Sequence, residues 1–209
     1  MDYFDFLDSI KIISHIAPLI FLVQKKKLLA QEFPLLFLLV FLSLLSQILG
    51  LCFFWWHINV FPVFHIWMFI RFILLLQFFK QEKFLTGQIN GIYVLGILVF
   101  IYESLICNLW LENNELFTIF SNVVISYISL RLILKFFNRQ FFSVKNAFKS
   151  FLHIIFFITN SSALILSVYE SDIRQETSSY AFFLVVFYCL IDIIQNLGIT
   201  YSLWKLREA

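Results

Sequence analysis

An arginine in the middle of an apolar run is the first residue here whose type demands a chemical explanation. Arg71 stands near the centre of VFPVFHIWMFIRFILLLQFFK, residues 60–80, where a guanidinium in a membrane helix costs about 2.5–3.5 kcal/mol on the insertion scale. About a dozen Phe, Ile, Leu, Val and Met at roughly −0.3 to −0.6 kcal/mol each outweigh that cost. The run inserts, and the arginine then needs an anion. Asp192 is available at a similar depth: counted from the outer ends of their runs, Arg71 is roughly 15 Å deep and Asp192 roughly 18 Å. An Arg71–Asp192 ion pair is therefore expected, either as a bridge that locks two helices or as a gate, proton site or counter-charge for a ligand.

Gln47, Ser126, Asn160 and Asn196 fall near the same depth, and are read as a polar layer at the midplane that lines a pocket or glues helices together by hydrogen bonds. A further group lies nearer the outer face: His15, His65 and Glu103, with Asp8 and His57 at the rim. Two imidazoles and a carboxylate can ligate a metal, relay protons or act as acid and base. Seven-helix membrane hydrolases of the ceramidase-like type use comparable side chains on separate helices, and a candidate catalytic role for His15, His65 and Glu103 follows from that chemistry alone. Since the three come from different runs, no ligand spacing defines a metal site, and neither a metal nor a cofactor is predicted. Arg131, Lys135 and Arg139 follow an i, i+4, i+8 pattern that puts them on one helical face. Such a stripe either attracts anionic headgroups or a cytoplasmic partner, or is simply the positive charge that marks the cytoplasmic side.

Helices must position all of these. The chain has 209 residues, 61% hydrophobic and 13% charged, against about 25% charged in soluble domains. Seven apolar runs of roughly spanning length are separated by short polar breaks: 7–24, 34–56, 60–80, 88–110, 116–137, 148–169 and 180–204. The first is the weakest, being short and interrupted by Ser14, His15 and Pro18. Nothing between the runs is long enough for a soluble catalytic module, so the predicted fold is an all-α membrane protein, a single bundle of seven transmembrane helices in one domain, 1–209. Lys25 to Lys27, Lys80, Lys83, Arg131, Lys135, Arg139, Lys145, Lys149, Lys205 and Arg207 fall on one side of seven crossings, with only Lys11 and Arg174 on the other. Positive charge marks the cytoplasmic side, so the N-terminus is expected outside and the C-terminus in the cytoplasm.

A net charge of +2, spread as a topology signal, argues against nucleic acid as a partner. The acidic opening MDYFDFLDSIK lacks the basic start of a signal peptide. Cys52, Cys107 and Cys189 have no metal spacing; Cys52 and Cys107 are expected near the outer helix ends, where a bridge could form, though small buried hydrophobes are the preferred reading. The seventh run has no lysine before Lys205, so an opsin-like retinal linkage has no attachment point.

The wording His57, Ile58, Asn59, then Phe64, His65, Ile66, Trp67 and Phe69, Ile70, Arg71, Phe72, together with Pro18 and the basic first loop, resembles a group of uncharacterised seven-helix membrane proteins of Bacteroidota. The likeness covers the first 80 residues or so and implies a bacterial inner (cytoplasmic) membrane and this topology, but no reaction. An acidic residue is more usual in that group where Arg71 stands. The expectation is then a multi-pass protein acting as a non-enzymatic subunit or sensory component, with the lipid bilayer and a membrane protein as partners. The alternatives are a membrane-embedded, metal-dependent hydrolase and a small proton-coupled transporter.

Overall fold

The computed structural model describes residues 3–27, 29, 33–81, 86–107, 115–137, 144–173 and 178–206. All regular structure among them is helical: α1 Tyr3–Gln24, α2 Phe33–Trp55, α3 Phe61–Lys80, α4 Thr86–Ile101 continued by a π-helical turn Tyr102–Ile106, α5 Glu115–Phe137, α6 Val144–Ile173 and α7 Ser178–Lys205. Helices are what a backbone must form in hydrocarbon, because every N–H and C=O then finds its partner within the segment.

Six stretches are long and apolar enough to cross a membrane: Phe33–Trp55, Phe61–Lys80, Gly87–Ile106, Glu115–Phe137, Ala147–Ser167 and Val186–Lys205. Their outer faces carry exposed leucine, isoleucine and phenylalanine, as at Leu38, Phe41, Leu45 and Ile48 on α2, which suits lipid rather than water. The first helix differs. Its apolar part, Ser9–Gln24, spans roughly 24 Å at 1.5 Å per residue, short of a hydrocarbon core of about 30 Å. Lys11 near its start shortens the run.

The helices group into two compact units. The first comprises residues 1–28 and 122–209, the second residues 29–121, the boundary falling within α5. In the first unit, Lys11 meets Asp192 and Ser14 meets Asn196, so α1 and α7 run parallel. Thr159 reaches Gln195 and Ser167 meets Tyr188, so α6 runs the other way. Gly198 lets α7 close on α6, since a Cβ there would come within 2.4 Å of Ile155 Cδ1.

The second unit is a helical hairpin α2–α3 extended by α4 and the start of α5. Its first turn is a Schellman motif: Ile58 N–H donates to Phe53 O at 2.8 Å and His57 N–H to Phe54 O at 3.1 Å. His57 takes φ 55°, the left-handed conformation that usually falls to glycine. Asn59 Oδ1 then accepts the Phe61 N–H at 2.9 Å, and Pro62 in the first turn of α3 has no N–H to leave unsatisfied. The core is aromatic. Phe72 and Phe117 meet edge to face at 5.5 Å, Phe100 and Phe117 at 5.3 Å, and Phe69 stacks on Phe100 at 4.4 Å. Gly96 makes room for Phe72, whose Cε1 lies 2.3 Å from where a Cβ would stand.

Candidate functional sites

Each unit holds a carboxylate within an apolar helix, and the two are held differently. In the first unit, α1 presents Lys11, Ser14 and His15, a set at i, i+3 and i+4 that shares one face. Opposite them α7 presents Asp192 and Asn196, again four apart. Lys11 Nζ lies 2.9 Å from Asp192 Oδ2. Asn196 Nδ2 donates to Ser14 Oγ at 2.9 Å, and Ser14 Oγ donates to Lys11 O at 2.6 Å. His15 Nδ1 is 2.8 Å from the same Lys11 carbonyl; a carbonyl only accepts, so this nitrogen carries the proton. His15 also lies near enough to feel both charges of the pair. Pro18 follows within the helix and withholds the N–H that would otherwise serve the Ser14 carbonyl. Ser14, His15 and Asn196 are buried. The ion pair is lopsided: the Lys11 side chain is 13% exposed and that of Asp192, near the middle of α7, is 41% exposed.

In the second unit the carboxylate belongs to Glu103, 1% exposed. Its Oε1 accepts the Leu116 N–H at 2.8 Å and its Oε2 the Phe117 N–H at 2.7 Å. Both donors belong to the first turn of α5, whose amide hydrogens have no intrahelical acceptor. Glu103 thus caps a helix from outside it, where the helix dipole favours negative charge. The π-helical turn aims it there: Cys107 N–H bonds to Tyr102 O at 2.9 Å, a loop one residue wider than the α-helical one. Turns of this kind recur at functional positions. His65, also 1% exposed, sits on α3 close enough to act electrostatically on Glu103. Because the Phe117 ring is the hub of the aromatic core, one residue joins the cap to that core.

The sequence-predicted sites separate along these lines. Of His15, His65 and Glu103, the structure brings His65 and Glu103 together in the second unit, while His15 belongs to the first. Both Glu103 oxygens are engaged by backbone donors. Among the described residues no group of three or more His, Cys, Asp and Glu could hold a metal ion. The cation found against Asp192 is Lys11, expected on the outer side at the start of the first apolar run; Arg71, half-buried, stands on α3 in the second unit. The signal was the shared face of Lys11, Ser14 and His15, which needs a polar face opposite.

Of the four residues expected at the midplane, Asn196 and Ser126 bond across helices. Asn196 bonds Ser14, Ser126 Oγ accepts from Ser161 Oγ at 3.1 Å, and Asn160 Nδ2 donates to Phe156 O of its own helix at 2.7 Å. Gln47 is half-buried on α2, in the second unit. On α5, Arg131 lies 5.8 Å from the centre of the Tyr127 ring and Lys135 is half-buried one turn on; Arg139 lies outside the described residues. Cys52 and Cys107 are free thiols, and Cys107 is exposed, so the reading of a small buried hydrophobe holds for Cys189 alone. No family model, no curated protein and no solved structure matches this chain.

Proposed function

We propose that this multi-pass membrane protein is a non-enzymatic subunit or sensory component of a complex in a bacterial cytoplasmic membrane, and that it engages its partner at the Lys11–Asp192 pair. The observation that carries this reading is the 41% exposure of the Asp192 side chain in the middle of an apolar helix. A charge at that depth is costly against lipid and is found facing protein or a water-filled cavity. A polar helix of a partner meets the need. The polar residues beside it support the same reading, because Asn196 and Ser14 satisfy each other and leave Asp192 as the open edge of the α1–α7 contact.

Seven crossings, with the N-terminus outside and the C-terminus in the cytoplasm, belong to this reading. Its supports are the parallel course of α1 and α7, which an even number of intervening reversals requires, and the basic residues Lys25 to Lys27 and Lys205 that close both helices. In that arrangement α1 crosses with local thinning of the bilayer or with partner contact at its short end.

The test is extraction from native membranes in mild detergent, with a photo-crosslinking residue at Ile193 beside Asp192. A stoichiometric partner, crosslinked at Ile193 and lost from the Asp192→Leu variant, is the expected outcome. A lone monomer in several detergents, with no crosslink, would overturn the reading. The same carboxylate beside Lys11 and His15 also suits a proton-coupled carrier. Proteoliposomes separate the two: that reading requires Asp192→Asn to abolish proton-driven uptake, and unchanged flux removes it.

A further inference from the structure

The first unit has a cleft that the ion-pair network does not use. Between the start of α6 and the end of α7, Phe148, Phe151, Tyr201, Ser202, Lys205 and Leu206 enclose about 340 Å³, within the range of about 300–1,000 Å³ typical of small-ligand sites. Its walls are almost wholly apolar. Phe151 and Tyr201 form one side, ring centres 5.2 Å apart. Ser202 contributes little polarity, since its hydroxyl donates to Gly198 O at 2.7 Å. The charge in the lining is Lys205, whose ammonium rests 4.7 Å from the centre of the Trp204 ring. Tyrosine and tryptophan with a terminal lysine mark the depth at which headgroups meet acyl chains.

Among the described residues at this end of α6 and α7 the charged side chains are basic. Lys149 on α6 and Lys135 on α5 both lie near enough to act on the buried His153 ring, which stacks on Phe136 of α5, so they belong to that side of α6 and the charge at the cleft itself is Lys205. Among the described side chains the acid nearest Lys205 along α7 is Asp192, about 20 Å up the helix. An apolar slot opening beside a lysine is complementary to a molecule with a long apolar tail and an anionic head.

We propose that this cleft binds one anionic phospholipid, an acyl chain lying between Phe148, Phe151 and Tyr201 and the phosphate on Lys205. The proposal needs only that these helices lie in a membrane, and stands whether or not Asp192 meets a partner. A structural lipid here would fill the α6–α7 opening and fix the end of α7.

Native mass spectrometry of the full chain in detergent micelles tests it, with phosphatidylglycerol and phosphatidylcholine of identical acyl chains added at equal concentration. About 1 kcal/mol per basic residue near an anionic lipid makes the expected preference for phosphatidylglycerol about fivefold. Lys205→Gln should bring the two lipids to parity. Arg131→Gln, which removes a charge outside the cleft, should keep the preference, and Lys205→Arg should keep it too. Ala147→Phe, at an exposed residue of the cleft wall, should fill the slot and abolish it, and soluble glycerol phosphate should not displace the lipid. Equal retention of both lipids by the unaltered protein, a measurement no misfolded variant can confuse, would mean ordinary annular lipid and overturn the proposal. So would equal losses from Lys205→Gln and Arg131→Gln, an unaffected Ala147→Phe, or displacement by glycerol phosphate.

Discussion

Glu103 and Asp192 are both carboxylates within apolar helices, yet one is held by the backbone and the other by a side chain. The partners of Glu103 are two amide hydrogens of α5, which cannot leave without unwinding that helix. The partner of Asp192 is the ammonium of Lys11, at the end of a flexible four-carbon stem. Glu103 is sealed, and Asp192 keeps an open edge. A buried carboxylate whose acceptors are saturated by fixed donors acts as architecture. One with a side-chain cation and a part-exposed carboxylate leaves an open edge, and the proposed partner contact rests on that difference.

Substitutions can break this contrast. The largest effect is expected for Glu103→Ala, which orphans the Leu116 and Phe117 amides; each unsatisfied buried donor costs about 1–3 kcal/mol, so thermal unfolding in micelles should fall steeply. Glu103→Gln, which keeps an acceptor, should lose less than half as much. If Glu103→Ala unfolds like the parent protein, the cap is not structural and the contrast fails.

Gly96→Ala comes next. Its Cβ would press into Phe72, and overpacking of this kind costs about 1–3 kcal/mol, read as a lower unfolding midpoint. Gly91→Ala on the same helix, where a Cβ meets nothing within 4 Å, should be neutral or mildly stabilising.

Asp192→Asn should be milder still, about 1 kcal/mol or less, because the amide can still meet Lys11 and interhelical hydrogen bonds in membranes average about 0.6 kcal/mol. Its main effect should fall on partner capture or flux. A loss of stability as large as that of Glu103→Ala would make Asp192 a second architectural residue and erase the distinction. The smallest effect sharpens the picture of the second unit: His57→Gly relieves a left-handed residue, worth about 1–2 kcal/mol, against about 0.5–1 kcal/mol of added backbone entropy, so a slightly raised midpoint is expected.

Much of the architecture was legible from composition and run length. The helices α2, α3 and α5 begin and end within a residue or two of their apolar runs, because a chain in hydrocarbon must hydrogen-bond to itself and polar breaks mark where it leaves. At α6 the helix extends to Val144 and Ile173, beyond the apolar run, since a helix need not stop where hydropathy does. The π-helical turn left no such mark; a one-residue widening arises from what Glu103 must reach, thirteen residues further along the chain.

Local sequence also determined which residues would be expensive in a membrane and which of them share a face: Lys11 with Ser14 and His15, Asp192 with Asn196. Only the tertiary structure decided which face meets which. Helices that are apolar nearly all round rotate and pair with little preference written in their own residues, so the choice of Lys11 for Asp192 and of two backbone amides for Glu103 emerges from packing across distant segments. A depth count ranks partners by height alone, whereas contact also depends on the direction in which each side chain leaves its helix.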